Sequence, residues 1–268
     1  MGNAFLAGQS GGGMSDKKIK DYLNSTIGTN DEMPLDKLIP YYVAKNSGND
    51  IVEYNQPNTY TVNVPNWASK AQITACAGGG GGAFQKVASS LYAQGGGGGG
   101  AAIVDKVVMI ADNLKGTSIK IVVGNGGKGG GYWRDTDTNT NMYPEAIGGG
   151  TTSILAFNIS LTGGKGGTSS AGGAAGGTGG GNGGYSSTPS TNGITGSGGK
   201  SNGVYGGGGG SLGAGGDGAY FSSNDYSTLG NAGVRGGGGG SVGAEYAPNS
   251  GRYAGSGGDG YVKIKWLI

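Results

Sequence analysis

The sequence predicts an all-β fold: a small antiparallel β-sandwich or barrel that carries packed, polyglycine-II-like segments and long loops, preceded by a short mixed N-terminal segment. Three observations predict it. Glycine fills 68 of 268 positions, against a usual share of roughly 7%. Several segments alternate apolar and polar residues with the period of two that a half-buried strand requires. One glycine-centred unit returns at a fixed spacing: VYGGGGGSLGA at 204–214 and VRGGGGGSVGA at 234–244, and repetition argues for stacked copies rather than linkers.

Residues 1–50 stand apart as an attachment or oligomerisation segment. In SDKKIKDYLNSTI, Ser15 can cap a short helix with Ile19, Tyr22 and Leu23 on one stripe. PLDKLIPYYVAK is broken by Pro34 and Pro40 and reads as extended or turn pieces. Ile19, Leu23, Leu38, Ile39 and Tyr41 have little core of their own to join and are the expected chain–chain contacts.

Residues 51–268 form the glycine-rich β domain. TYTVNV puts Tyr60, Val62 and Val64 on one face, and AQITACA puts Ile73 opposite Thr74 and Cys76. Residues 102–111 and 118–123 make two further strands. Residues 153–161 make one strand with Leu155, Phe157, Ile159 and Leu161 on one side. YVKIKW at 261–266 turns Val262, Ile264 and Trp266 inward. Six such strands suffice for a small core.

The glycine runs at 78–82, 95–100, 206–210 and 236–240 connect and follow these strands. A lone run is a flexible coil, because glycine loses the most backbone freedom on ordering. Several threefold extended helices side by side can approach closely, since no Cβ intervenes, and their backbone groups then bond across. At about 3.1 Å per residue, five glycines span about 15 Å. Disorder is opposed by 15 tyrosines and three tryptophans. Collagen is excluded by seven prolines and the lack of a strict Gly-X-Y register.

The residues that recur in familiar catalytic signatures lead nowhere here. A net charge of +2 offers no grip on nucleic acid or an acidic membrane, and no apolar run is long enough to span one. The chain has no histidine and one cysteine, so no zinc cluster and no intrachain disulfide are expected, and Cys76 has no histidine to activate it. GNGGKG at 124–129 follows a strand, but no helical stripe follows it to hold a pyrophosphate. Gly199-Lys200-Ser201 lacks the first glycine of a P-loop, because Ile194 stands there. Asp135, Asp137, Asn139 and Asn141 alternate as calcium ligands do, yet Thr140 replaces the required glycine and Ala146 the closing glutamate. The expectation is a non-enzyme without cofactor or metal.

The order of these pieces resembles the glycine-rich domain of bacteriophage tail-fibre and other host-recognition, adhesin-like virion proteins. It is carried by YTVNVPNWASKAQITACAGGGGGA, then SIKIVVGNGGKGG, GGGTTSILAFNISLTGGKGG, the pentaglycine units and a closing GGDGYVKIKW. The resemblance implies a virion protein of the phage tail, made in the host cytoplasm without a signal peptide. It implies partners among other tail proteins, a receptor on the host surface, and a homo-oligomer, most simply a trimer. Tyr, Trp, Ser and Asn on loops over a rigid base make adaptable contact surfaces. The contact candidates are Tyr132, Trp133, Arg134, Tyr143, Tyr220, Phe221, Tyr226, Tyr246 and Tyr253. The alternative role for the same rings is to shield the glycine layer. The alternative function is a structural virion part, such as a fibre, collar, spike or decoration, without a receptor of its own. An ice-binding polyglycine bundle is disfavoured by the long irregular loops.

Overall fold

The computed structural model describes residues 15–27, 34–86, 94–135, 140–142, 144–186, 188–201, 205–221, 230–244 and 252–268; for strand residues 85–86, 132–135, 140–142, 220–221, 243–244 and 252 it describes the backbone. Among the described residues the chain is mostly sheet with two short helices, an all-β fold. It has three layers along one axis: a β-sandwich base, a glycine lattice and a distal tip.

The base holds two antiparallel four-stranded sheets. In the first, β1 (Ile51–Tyr54) pairs with β14 (Tyr261–Leu267), β14 with β3 (Lys70–Cys76), and β3 with β5 (Ala102–Met109). In the second, β10 (Ile159–Leu161) pairs with β9 (Thr152–Ile154), β9 with β6 (Ser118–Val123), and β6 with β2 (Asn58–Asn63). Alternation decides which side faces in. Ala71, Ile73, Val262, Ile264 and Trp266 of one sheet share a core with Val62, Ile119, Ile121, Ile154 and Ile159 of the other. Lys263 and Lys265 stay on the outer face, as their alternation requires.

Two sequence expectations fail here. Residues 153–161 are not one strand. A 3₁₀ turn at Leu155–Phe157, closed by Asn158 at φ 53°, folds them into the β9–β10 hairpin. Asn tolerates that left-handed position better than most residues. Phe157 still packs inward, but Leu155 is turned out. The second failure is PLDKLIPYYVAK, which is helix α2 (Leu35–Ser47) with Pro40 inside it. Pro40 forgoes one intrahelical bond, yet Leu38, Tyr41 and Ala44 bury one face, and that packing outweighs the local preference. Gly48, at φ 72°, ends the helix by returning its N–H to the last-turn carbonyls.

Helix α1 (Asp16–Ile27) packs on α2, and both cover the end of the sandwich away from the glycine layer. Leu23, Leu38 and Tyr41 belong to the same buried cluster as the sheet residues, with the Tyr41 ring 4.9 Å from that of Trp67. The expectation that these three wait for a second chain is therefore corrected: they fill the chain's own core. Ile19 is partly buried against that core, and Ile39 is exposed.

The glycine layer is a hexagonal lattice of extended threefold helices. Its hydrogen bonds show the period. Residues 95 and 98 donate to Thr168 and Lys165; 96 and 99 to Gly184 and Gly181; 97 and 100 to Gly239 and Gly236, all at 2.8–3.0 Å. Successive residues thus address three different neighbours and the fourth returns to the first, which is three residues per turn. Gly98, Gly99 and Gly97 accept in turn from Gly80, Gly176 and Gly209. Run 95–100 therefore touches six segments: 78–82, 163–167, 172–176, 181–184, 206–210 and 236–240.

The pentaglycine runs 78–82, 206–210 and 236–240 are also buried along their whole length and also have six neighbours each. In hexagonal order the four runs make a rhombus, with 95–100 and 236–240 in contact across it and 78–82 and 206–210 at its far corners, and this leaves places for ten helices around them. The chain supplies ten, in ring order 124–130, 144–150, 162–168, 171–176, 180–184, 190–193, 196–200, 213–218, 230–234 and 254–260, and the last bonds back to the first.

Glycine is needed here for closeness rather than for backbone conformation. Among the described residues of the four buried runs, Gly236 alone has a left-handed φ, 79°. A Cβ built on Gly208 would land on the carbonyl oxygen of Gly238, and one on Gly238 on that of Gly97.

The repeated unit has a physical role. Its two copies lie side by side and antiparallel, through Gly238 N to Gly209 O and Ser241 N to Gly206 O. Ser211 and Ser241 occupy the same place in each copy and are fully buried. The Ser211 hydroxyl donates to the Gly100 carbonyl, 2.7 Å, at the sandwich end. The Ser241 hydroxyl reaches the Gln94 and Gly206 carbonyls, 3.1 and 3.0 Å, at the tip end. One motif thus seals both ends of the lattice because its copies point in opposite directions.

Candidate functional site at the distal tip

The tip is built where lattice helices run on into strands. Runs 78–82 and 236–240 are parallel neighbours, bonded through Gly239 N to Gly80 O and, one turn on, Val242 N to Ala83 O. Their continuations β4 (Phe84–Lys86) and β12 (Val242–Ala244) consequently pair in parallel, and β11 (Ala219–Phe221) pairs in parallel on the far side of β12. Parallel pairing of three-residue strands is unusual in isolation, and here the lattice imposes it. Segments 124–130 and 254–260 are antiparallel neighbours, so β7 (Gly131–Asp135) and β13 (Arg252–Tyr253) pair antiparallel, and β8 (Thr140–Met142) completes that sheet. β4 packs beside β7, which joins the two sheets. A small apolar cluster of Ala219, Val242, Ala254 and Phe84 anchors them.

The sequence-based contact residues distribute over this end as follows. Tyr132, Trp133 and Arg134 are consecutive on β7, at register with Arg252, Met142 and Asn141. Tyr220 and Phe221 lie on β11 opposite Gly243 and Ala244. Tyr253 lies on β13 opposite Gly131 and is 48% exposed. Six of the nine candidates therefore sit on two adjoining sheets at one end of the molecule. Tyr143, Tyr226 and Tyr246 lie outside the described residues. Their expected setting in loops needs one correction: Tyr132, Trp133, Arg134, Tyr220, Phe221 and Tyr253 lie on strands.

Ring shielding is seen at Tyr205 and Tyr261. Tyr205, immediately before run 206–210, is 2% exposed and bridges to Gln94 at the tip end of the lattice. Tyr261, at the sandwich end, is buried beneath the Arg235 guanidinium, 4.7 Å from its ring centre. Sequence reading passed over Phe84, Tyr205 and Tyr261 as lattice seals; the signal available was an aromatic residue at or next to the end of a glycine segment. Burial pushes the Tyr261 hydroxyl up to about 12, helped by a hydrogen bond to Glu53 and by that carboxylate's charge.

The decoy motifs resolve into structure. GNGGKG at 124–129 is an outer lattice segment that runs into β7, with Gly126 N bonded to Asp259 Oδ1 at 2.7 Å. Asp135 and Asn141 belong to β7 and β8, and residues 136–139 between them lie outside the described residues. Cys76 is buried at the seam between sandwich and lattice, beside Ser211 and Tyr261. Desolvation pushes its thiol up to about 12, the opposite of an activated nucleophile.

The family described as a glycine-rich domain matches residues 55–267, from the strand that opens the second sheet to the end of β14. No curated protein is significantly similar to the chain.

Proposed function

We propose, from the premise that the chain belongs to the glycine-rich domain family, that it is a non-enzymatic component of a bacteriophage tail fibre or tail tip that recognises the host surface. The observation that carries the reading is the concentration of Tyr132, Trp133, Arg134, Tyr220, Phe221 and Tyr253 on two sheets at one end of the glycine lattice. A contact surface gains affinity when its support is ordered before binding. Fourteen cross-bonded segments beneath the tip supply that order. The helices and sandwich at the opposite end are the side turned toward other tail proteins in this reading. The receptor is a surface molecule suited to aromatic stacking and hydrogen bonding rather than to charge alone.

The test is adsorption of assembled particles. Tyr132→Ala/Trp133→Ala/Arg134→Ala and, separately, Tyr220→Ala/Phe221→Ala are expected to leave melting temperature within a few degrees and to reduce host adsorption at least tenfold. Normal adsorption by both folded variants would sink the recognition reading in favour of a structural virion role.

A further inference from the structure

A lattice of extended glycine helices shares a hazard with an open β-sheet. Its outer rows of N–H and C=O groups are a template for more of the same. Segment 162–168 shows the hazard plainly. The amides and carbonyls of Gly163 and Gly166 bond to none of the described residues, while Gly164 and Gly167 donate inward to Gly78 and Gly81. Another glycine helix could lie on that row as the inner runs lie on one another. Among the described residues the ring nevertheless stops at ten segments.

Composition changes where the lattice stops. In outer segments 124–130, 162–168 and 254–260 a non-glycine residue recurs at every third position and faces solvent: Asn125 and Lys128, Thr162 and Lys165, Ser256 and Asp259. The interval matches the three residues per turn, so these side chains form rows on the outer surface. The buried runs carry no side chain in any direction and take six neighbours each.

Some of the outward side chains also satisfy amides that a further helix would otherwise receive. Asp259 Oδ1 accepts from Gly126 N at 2.7 Å, Asn182 Oδ1 from Ala175 N at 2.8 Å, and Asn192 Oδ1 from Gly198 N at 2.9 Å.

We infer that the side chains at every third position of the outer segments terminate the glycine lattice and keep a second copy of this chain from adding its own glycine segments to the flank. The exclusion is steric. At buried positions a single Cβ lands on a neighbouring carbonyl, as at Gly80 against Lys165 O, so one Cβ in the outward row holds another backbone beyond hydrogen-bonding distance. Charge has a lesser part, because a lysine on a flexible stem can swing aside.

The full-length pair Thr162→Gly/Lys165→Gly turns 162–167 into six consecutive glycines, the composition of run 95–100. Multi-angle light scattering across a hundredfold concentration range is expected to show mass rising well above that of the parent protein. Thr162→Ala/Lys165→Ala, which removes the charge and keeps the Cβ, is expected to hold the parental mass. Parental mass for the glycine pair at every concentration overturns the inference, and so does equal association of the alanine pair. Amide exchange in 95–100 reports whether the glycine pair is folded. If it is not, Asn125→Gly/Lys128→Gly makes the same change at 124–129. Loss of protection in both would show that these side chains hold the segments in place rather than end the lattice, and the inference would fall.

Discussion

At the scale of single residues, the glycines divide into those that serve conformation and those that serve proximity. Gly48 and Gly236 adopt φ values of 72° and 79° that side chains resist. Gly208 and Gly238 do not, and are held by a neighbouring carbonyl where a Cβ would sit. Alanine at either is expected to lower stability by about 1–3 kcal/mol or more, the scale of overpacking a close-packed interior. In a flexible loop the same change would stabilise by roughly 0.4–1 kcal/mol through the unfolded chain. Thermal denaturation of the two single variants distinguishes the cases by sign.

Cys76 and Tyr261 give a second prediction at this scale. Both are held neutral by burial, with values raised from 9.0 and 10.0 to about 12. A raised acid in the folded state favours folding below its unfolded value, and that contribution is lost as pH climbs through the folded value. Stability is therefore expected to hold to about pH 9 and to fall between about 9 and 12. A pH series of denaturation midpoints measures it. In the same series Cys76 is expected to resist a thiol reagent until the chain unfolds.

At the scale of elements, helix α2 belongs to the sandwich. Leu38 is fully buried in the shared core, whereas its neighbour Ile39 is 45% exposed. Leu38→Ala is expected to cost about 2–5 kcal/mol, and Ile39→Ala to stay within about 0.5 kcal/mol. Equal effects in chemical denaturation would mean that the helix is only loosely attached. The apolar residues that suggested a chain–chain contact were legible as apolar. Whether they met a second chain or their own sheet depended on where the 218 residues after position 50 folded. The same holds for Pro40: its presence argued against a helix, and tertiary burial of Leu38, Tyr41 and Ala44 decided for one.

At the scale of the whole molecule, the lattice depends on the sandwich. Ordering a glycine costs about 1–2 kcal/mol of backbone entropy, and a hydrogen bond returns about 1 kcal/mol net. With one amide and one carbonyl per residue, the inner runs do not clearly exceed that cost by hydrogen bonding alone. The apolar core at one end and the seals at Tyr205, Tyr261, Ser211 and Ser241 make up the difference. Lattice and sandwich are expected to unfold together. Hydrogen exchange should then show residues 96–99 among the slowest amides of the chain, and the half-buried Gly166, which bonds to no described residue, among the fast ones. Rapid exchange throughout 95–100 would contradict the lattice.

Local pattern by itself determined most of the sandwich strands and their buried faces, though neither β1 nor the division of 153–161 into β9 and β10, and it determined that the glycine runs required one another. Strand burial follows from a period of two along the chain, and a pentaglycine cannot be ordered alone, so both are readable without neighbours. The threefold spacing of Asn125–Lys128 and Thr162–Lys165 was equally present in the sequence, although short interrupted registers concealed it among 68 glycines. Tertiary structure alone decided which run lies beside which, and in which direction. A glycine helix has no side chain to mark one neighbour from another, so partner choice comes from the strands, turns and seals at its ends. From that choice follow the opposed copies of the repeat, the parallel tip sheet, and the placing of Tyr132, Trp133, Arg134, Tyr220 and Phe221 on two sheets at one end of the molecule.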